Sequence, residues 1–565
     1  MIRFEEYEYR RPDYEKIQAR MSGMLEQMKA SRSAGEALRH AVEIDRLRDG
    51  YMTMRTLCSI RFAEDTNDPF YREENDYFDK YGPLFNSLNA RFYQALLDSR
   101  WRQAFADFYG EQFLNKADAK RRASDERVIP LRQEERRLVS LNSRLTSGAM
   151  IAFDGKTLTL SQLSGYLSHP SREMRQRAAQ AYYGYFASVA DQTDSYYDQM
   201  VHIRHKIARQ MGFENYIGLA YLGMGRTDYD AEKAAEFRRY VRQYVVPVTT
   251  RRIERQKKRL GVSHLPYYDE TVSFSSGNPR PRGTAEEILQ AAGRMYEKLS
   301  PETGEFFRFM RERGLIDVLS RPGKDGGAFS SYISGYGAPF LYANFNGTLS
   351  DVNVLTHEAG HAFQKYMARG LTPSERCQAT VEASEVHSMS MELFTLPYME
   401  GFFGPEADKY RFAQVEKTLH TVAYACVVDE FQHLVYANPD AAPAERHAMW
   451  RETERKYLPH RSYDGCPFLE AGGWWHRQGH IFSSPFYYID YALAQVCALG
   501  FMVQMEKDYP AAWQNYLKLC RLGGTRSFLG LMQQAGIGSP FEEETVRTVA
   551  AYAEKYLEPF DERGW

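Results

Sequence analysis

The chain has 565 residues, 43% of them hydrophobic and 14% aromatic, which excludes disorder as its overall state and exceeds what one ordinary compact domain needs. Lys plus Arg total 72 against 74 for Asp plus Glu, so the net charge of -2 gives no bulk attraction to nucleic acid or to an anionic membrane. No apolar run approaches the ~18 residues of a bilayer span, the charged opening MIRFEEYEYRR lacks the apolar stretch of a secretory leader, and six scattered cysteines read as buried thiols in a reducing cytoplasm.

From residue 14 to about 113, apolar residues return at intervals of three and four among Glu, Arg, Leu, Met and Ala, a period that predicts amphipathic helices. MIAFDGKTLTL follows, and Asp154-Gly155 between β-branched and apolar residues predicts a small hairpin. The next stretch, SREMRQRAAQ to ARQMGF, is helix-rich and ends near Gly212. HLPYYDETVSFSSGNPRPRGT is dense in Pro, Gly and Ser and predicts an exposed connection. Helices resume from 285 to 313, after which GGAFSSYISGYGAPFLYANFNGT predicts two or three short strands with Gly turns. The organisation expected is an N-terminal helical region over 1–130, a helical lobe with the hairpin over 131–265, and a catalytic region over 266–565.

SDVNVLTHEAGHAFQKYMARG comes next, with Ser350 or Asp351 as helix cap and Gly370 as terminator. His357 and His361 fall one turn apart on one face, the spacing at which two imidazoles hold one Zn²⁺, and Glu358 beside them can reach its water. HExxH alone recurs by chance, and a catalytic zinc needs a third protein ligand. The HExxHxxGxxH pattern fails, because Gln364 and Met367 stand where Gly and His belong. ATVEASEVHSMSMELF predicts a second helix on which Glu382, Glu385, Ser388 and Glu392 share a stripe at about 100° per residue. Periodicity leaves Glu382 and Glu385 as rival third ligands.

PFLYANFNGTLSDVNVLTHEAGHAF with SEVHSMSMELF resembles the thimet oligopeptidase and oligoendopeptidase F family, and within it the bacterial oligoendopeptidase F and Pz-peptidase branch. MIAFDGKTLTLSQL, VHIRHKIARQMGFENY and WHRQGHIFSSPFYYIDYALAQ extend the likeness over about residues 130–540. The family's HExxH, then Glu, then Ser three and Glu seven residues later, falls on Glu385, Ser388 and Glu392. The resemblance thus implies His357, His361 and Glu385 as ligands of one Zn²⁺ per chain, Glu358 as general base, and Glu392 as the acceptor orienting a ligand histidine. It also implies His480, Tyr488 and Tyr491 as stabilisers of the oxyanion, although Pro485 occupies one expected tyrosine position.

The fold so implied is mainly α and zincin-like, with two helical lobes enclosing a deep substrate channel and a small sheet beside the HExxH helix. Tyr336, Gly337 and Tyr487 are the expected peptide contacts, the Gly-rich strands offering an edge for an added strand. The activity implied is internal cleavage of short unfolded peptides, with no nucleic acid or membrane partner. A zinc carboxypeptidase and an inactive peptide binder are the alternatives. His387, His460 and His476 read as structural or surface residues.

Overall fold

The computed structural model describes residues 2–321 and 323–561 and is mainly α, with two small sheets. Near the N-terminus the helices Tyr14–Ala30, Ala34–Glu64, Pro69–Leu97, Arg102–Tyr109 and Glu111–Arg122 follow one another. Asp13, Ser33 and Asp68 accept hydrogen bonds from the first-turn N–H groups of the first three, satisfying donors that a helix start leaves unpaired. These helices bury their own core, in which Tyr51 stacks on Phe85 at 3.8 Å. They are tied to the later part of the chain through Arg48, whose guanidinium donates to Glu375 at 2.7 Å.

The predicted hairpin forms from β1 (Ile151–Phe153) and β2 (Lys156–Leu158), paired antiparallel. Asp154 and Gly155 both have positive φ, 52° and 74°, the conformation a two-residue I′ turn demands. A second, larger core contains residues on both sides of residue 265, together with Phe4, Tyr7, Leu57, Ile60 and Ala63. The stretch 264–284 is a correction to the sequence reading. It is irregular, yet it buries Leu265, Asp269, Val272 and Phe274. Its aromatic and apolar residues pack inward, while Arg172 and Arg175 hold the Asp269 carboxylate; turn residues set the backbone, not the exposure.

The second sheet has the order β3 (Ile316–Asp317), β5 (Ala338–Tyr342), β4 (Phe329–Ile333), with β5 parallel to β3 and antiparallel to β4. Every residue of β5 is buried, as its unbroken apolar run requires when both faces are covered. The helix Leu349–Ala368 packs on β4 and β5. Its cap position is Thr348, not Ser350 or Asp351. The Asp351 carboxylate instead accepts from the N–H groups of Asn346 and Gly347, at 2.9 and 2.7 Å, tying the preceding loop to the first turn.

Candidate metal centre

His357 and His361 lie one turn apart on that helix, their ring centroids 4.9 Å apart. The helix Val381–Phe394 crosses it closely. A Cβ on Gly360 would sit 2.6 Å from the Ser388 Cα, closer than real side chains come, so only glycine between the two histidines permits this crossing. The approach brings Glu385 Oε2 to 3.4 Å from His357 Nε2 and 3.8 Å from His361 Nε2. Glu382, three residues earlier, points elsewhere: it accepts from the Tyr229 hydroxyl at 2.5 Å and lies 3.7 Å from Arg226 Nε. The structure therefore brings Glu385, and not its rival, to the histidine pair.

Glu392, two turns beyond Glu385, accepts from His357 Nδ1 at 2.6 Å. Its other oxygen accepts from Asn353 at 2.8 Å and from Gln414. This arrangement fixes the ring and aims the Nε2 lone pair at the shared point. Burial pushes the His357 pKa down, but hydrogen bonds to Glu385 and Glu392 carry it well above 6.5; a proton and a metal compete for that nitrogen. His361, dominated by burial, is lowered to about 3 and is a neutral donor. Burial also acts on Glu385, yet its bond to His357 and the nearby His361 hold it at about 2, ionised.

Two imidazole nitrogens and one carboxylate oxygen, all within 4.8 Å of one another, match the donor set of a catalytic zinc with a fourth position for water or substrate. Glu358 completes the fit. It is 7% exposed, and its buried Oε2 has no hydrogen-bond partner among the described residues, which calls for a group not drawn from the protein. Burial raises its pKa to about 7, the range a general base needs near neutrality. Lys365, one turn past His361, donates to the Ser330 carbonyl at 2.5 Å and fastens β4 to this helix.

The segment after Trp475 forms the opposite wall. His480 stands 5.6, 5.3 and 6.0 Å, ring to ring, from Tyr487, Tyr488 and Tyr491. The Tyr487 hydroxyl donates to Glu385 Oε1 at 2.8 Å, so it holds the carboxylate of the metal site; the sequence reading had placed it on peptide. Tyr491 feels the charges of both Glu385 and Glu358, which together with burial raise its pKa. Phe486 immediately before Tyr487 has φ +66°, strained for a bulky residue. It is held there by Arg226, which donates to its carbonyl at 2.6 Å, and by Gln432, which accepts from its N–H at 3.1 Å. No periodicity signals either partner.

Tyr336 and Gly337, the expected peptide contacts, lie at the turn between β4 and β5. The Tyr336 ring stacks on Tyr7 at 3.7 Å, and its hydroxyl accepts from the Glu8 N–H at 2.9 Å. The N-terminal segment thus packs against the Tyr336 side chain, and Gly337, φ +56°, serves the β4–β5 turn. His476 is buried and, with His447, contacts Asp194 at 2.9–3.1 Å. Nδ1 of both rings is buried without a partner, whereas metal-bound imidazoles hand that proton to an acceptor. This cluster is a hydrogen-bonded clamp on the turn leading to His480. His387 is fully buried beside Tyr516.

The family profile for the peptidase M3 N-terminal domain matches residues 4–124, and that for peptidase family M3 matches residues 165–551. An oligoendopeptidase F homolog of Borreliella burgdorferi is 25% identical over 305 residues, covering 52% of this chain and 50% of that protein. Oligopeptidase PepF of Bacillus subtilis is 24% identical over 324 residues, covering 55% and 46%. The chain therefore spans about half the length of the curated relatives it matches. The solved structure of PZ peptidase A with an inhibitor aligns over 98% of this chain and 99% of its own, with TM-score 0.94 and 43% identity. Since the second profile alone covers more than half of its residues, the chain belongs to peptidase family M3.

Proposed function

We propose that this protein is a zinc-dependent endopeptidase that cleaves internal bonds of short, unfolded peptides. The observation that carries this reading is the convergence of His357, His361 and Glu385 beside the unpartnered Glu358 oxygen. Bound there, Zn²⁺ supplies Lewis acidity and lowers the pKa of water toward ~7. Glu358 takes the proton from the attacking water and can pass it to the departing amine. Tyr491, against which Tyr488 and His480 pack, donates its hydroxyl to the oxygen that gains charge, a role supported by the nearness of the Glu385 and Glu358 charges. Tyr487 and Glu392 orient Glu385 and His357. The names oligopeptidase and oligoendopeptidase borne by relatives support the same reading.

Six unpaired cysteines suit a reducing compartment, which supports a cytoplasmic site of action; among the described residues no helix is long and apolar enough to cross a membrane. The test is a peptide-library digest read by mass spectrometry, with and without chelator. Internal cleavage of peptides blocked at both ends, abolished by chelator and restored by zinc, is the expected result. Cleavage confined to free C-termini would make the enzyme a carboxypeptidase. Absence of any chelator-sensitive product would leave only a binder.

A further inference from the structure

A cavity of about 560 Å³ is lined in part by neighbours of the candidate site residues, a size within the ~300–1,000 Å³ of ligand pockets. Three of its lining residues tie it to the catalytic groups. Tyr488 packs on His480 and Tyr491. Gln478 accepts from Tyr424 at 3.1 Å and lies 3.0 Å from His480 Nδ1. Asn353 donates to Glu392. A peptide held at the histidines needs only a few residues, each reaching ~3.3–3.6 Å, to enter this space.

The charges inside the cavity do not balance. Its two carboxylates are matched, Glu270 by Arg461 at 2.7 Å and Glu416 by Arg252 and Arg259 at 3.4 and 3.3 Å. Lys417 and Arg477 are also in the lining, are open to it, and meet no carboxylate among the described residues. Lys417 donates to Asn353 Oδ1 at 2.8 Å, and Arg477 to the Tyr183 hydroxyl at 2.6 Å. The Arg477 guanidinium also lies over Trp474, 5.1 Å from the ring centroid. The stack fixes its plane and leaves most of its five N–H donors without a protein acceptor. A planar fork held in place, in a cavity that also presents the Lys417 ammonium, is a group suited to receive a carboxylate.

We propose that this cavity is an anion subsite in which Arg477 and Lys417 bind a carboxylate of the peptide substrate. The inference rests on the peptidase reading above and adds a substrate class to it: peptides with a carboxylate a few residues from the scissile bond, either the free C-terminus or an Asp or Glu side chain. A short, N-acetylated, internally quenched peptide made as free acid, as neutral amide, and as amide with a Glu near that end separates the two sources. Either anionic form should be preferred over the neutral amide by roughly 10- to 100-fold, mostly in KM, the size of one charge-assisted hydrogen bond. Preference for the free acid identifies the terminus; preference for the Glu-containing amide identifies the side chain.

In Arg477→Gln the preference should fall to a few-fold, and Arg477→Lys should restore part of it, which a folding defect would not do. Calorimetry of the same peptides on Glu358→Gln reads the subsite without turnover. An intact acid preference there, with no cleavage by the wild type, would sink the peptidase reading and uphold the subsite. Equal KM and equal binding for all forms, or a preference that survives in Arg477→Gln and Lys417→Gln together, overturns the subsite.

Discussion

The His357 ring is locked to Glu392 by a 2.6 Å hydrogen bond from Nδ1, and that carboxylate is itself held by Asn353 and Gln414. The ring can then turn only at the expense of that bond, to an acceptor that two amides hold still. Removing the acceptor in Glu392→Ala frees the ring and leaves two buried amides without it. Zinc affinity, measured by competition with a chromogenic chelator, should fall about 10- to 100-fold. Unchanged affinity would show that the helix alone orients His357.

The two acidic residues of the second helix should behave oppositely. Glu385 faces both histidines, so Glu385→Ala should lose zinc on gel filtration in buffer without added metal. Glu382 is engaged by Tyr229 and Arg226, and Glu382→Ala should keep its zinc and lose about 1–3 kcal/mol of stability from the unsatisfied partners. Metal content by atomic emission, beside urea unfolding, checks both. Zinc loss in Glu382→Ala with retention in Glu385→Ala would reverse the assignment.

What the sequence made legible was whatever local spacing encodes. HExxH on a helix, the positive-φ pair Asp154-Gly155 and the all-apolar β5 each follow from a short-range rule, and the structure contains them, whereas the cap falls on Thr348. Periodicity could not separate Glu382 from Glu385, because both lie on one stripe; a family likeness favoured Glu385, and the helix crossing at Gly360 separates them in space. Asn353, Gln414, Arg226 and Gln432 gave no signal, since each acts through hydrogen bonds to residues far along the chain. The stack of Tyr7 on Tyr336 gave no signal either, because the two rings are remote in sequence.

Glu375 joins the N-terminal helices to the catalytic half through Arg48, Tyr93 and Lys120. Burial acts to raise its pKa, but Lys120, Arg48 and Lys116 hold it well below the usual 4.5. A carboxylate depressed in the folded state stabilises it above the unfolded value and loses that contribution as pH falls from about 4.5 through the folded value. Glu375→Gln should therefore be less stable than wild type at neutral pH, by roughly 1–3 kcal/mol, and the gap should narrow on acidification below about pH 4.5. Urea midpoints across that range report it. A gap independent of pH would mean that the carboxylate's charge contributes nothing.

Glu358 shares a helix with two proposed ligands, yet it lies outside the group of ligand atoms formed by His357, His361 and Glu385, and its burial raises its pKa to about 7. Replacing it with Gln preserves size and the capacity to hydrogen-bond, and removes only the ability to accept a proton. The variant should bind zinc and peptide as the wild type does, while kcat falls by about 10²–10⁴-fold. Tyr491→Phe should cost about 10²–10³ in kcat with little change in KM, as expected for a donor that matters only once charge develops on the carbonyl oxygen. Tyr487→Phe should differ from both, because its hydroxyl is spent on Glu385: zinc should be held more weakly, and added zinc should recover most of the rate. Steady-state kinetics on a blocked peptide at increasing zinc separates the three. Near-normal kcat in zinc-loaded Glu358→Gln would refute the mechanism even with every ligand correctly assigned, and zinc-insensitive loss in Tyr487→Phe would move that tyrosine from the metal to the substrate.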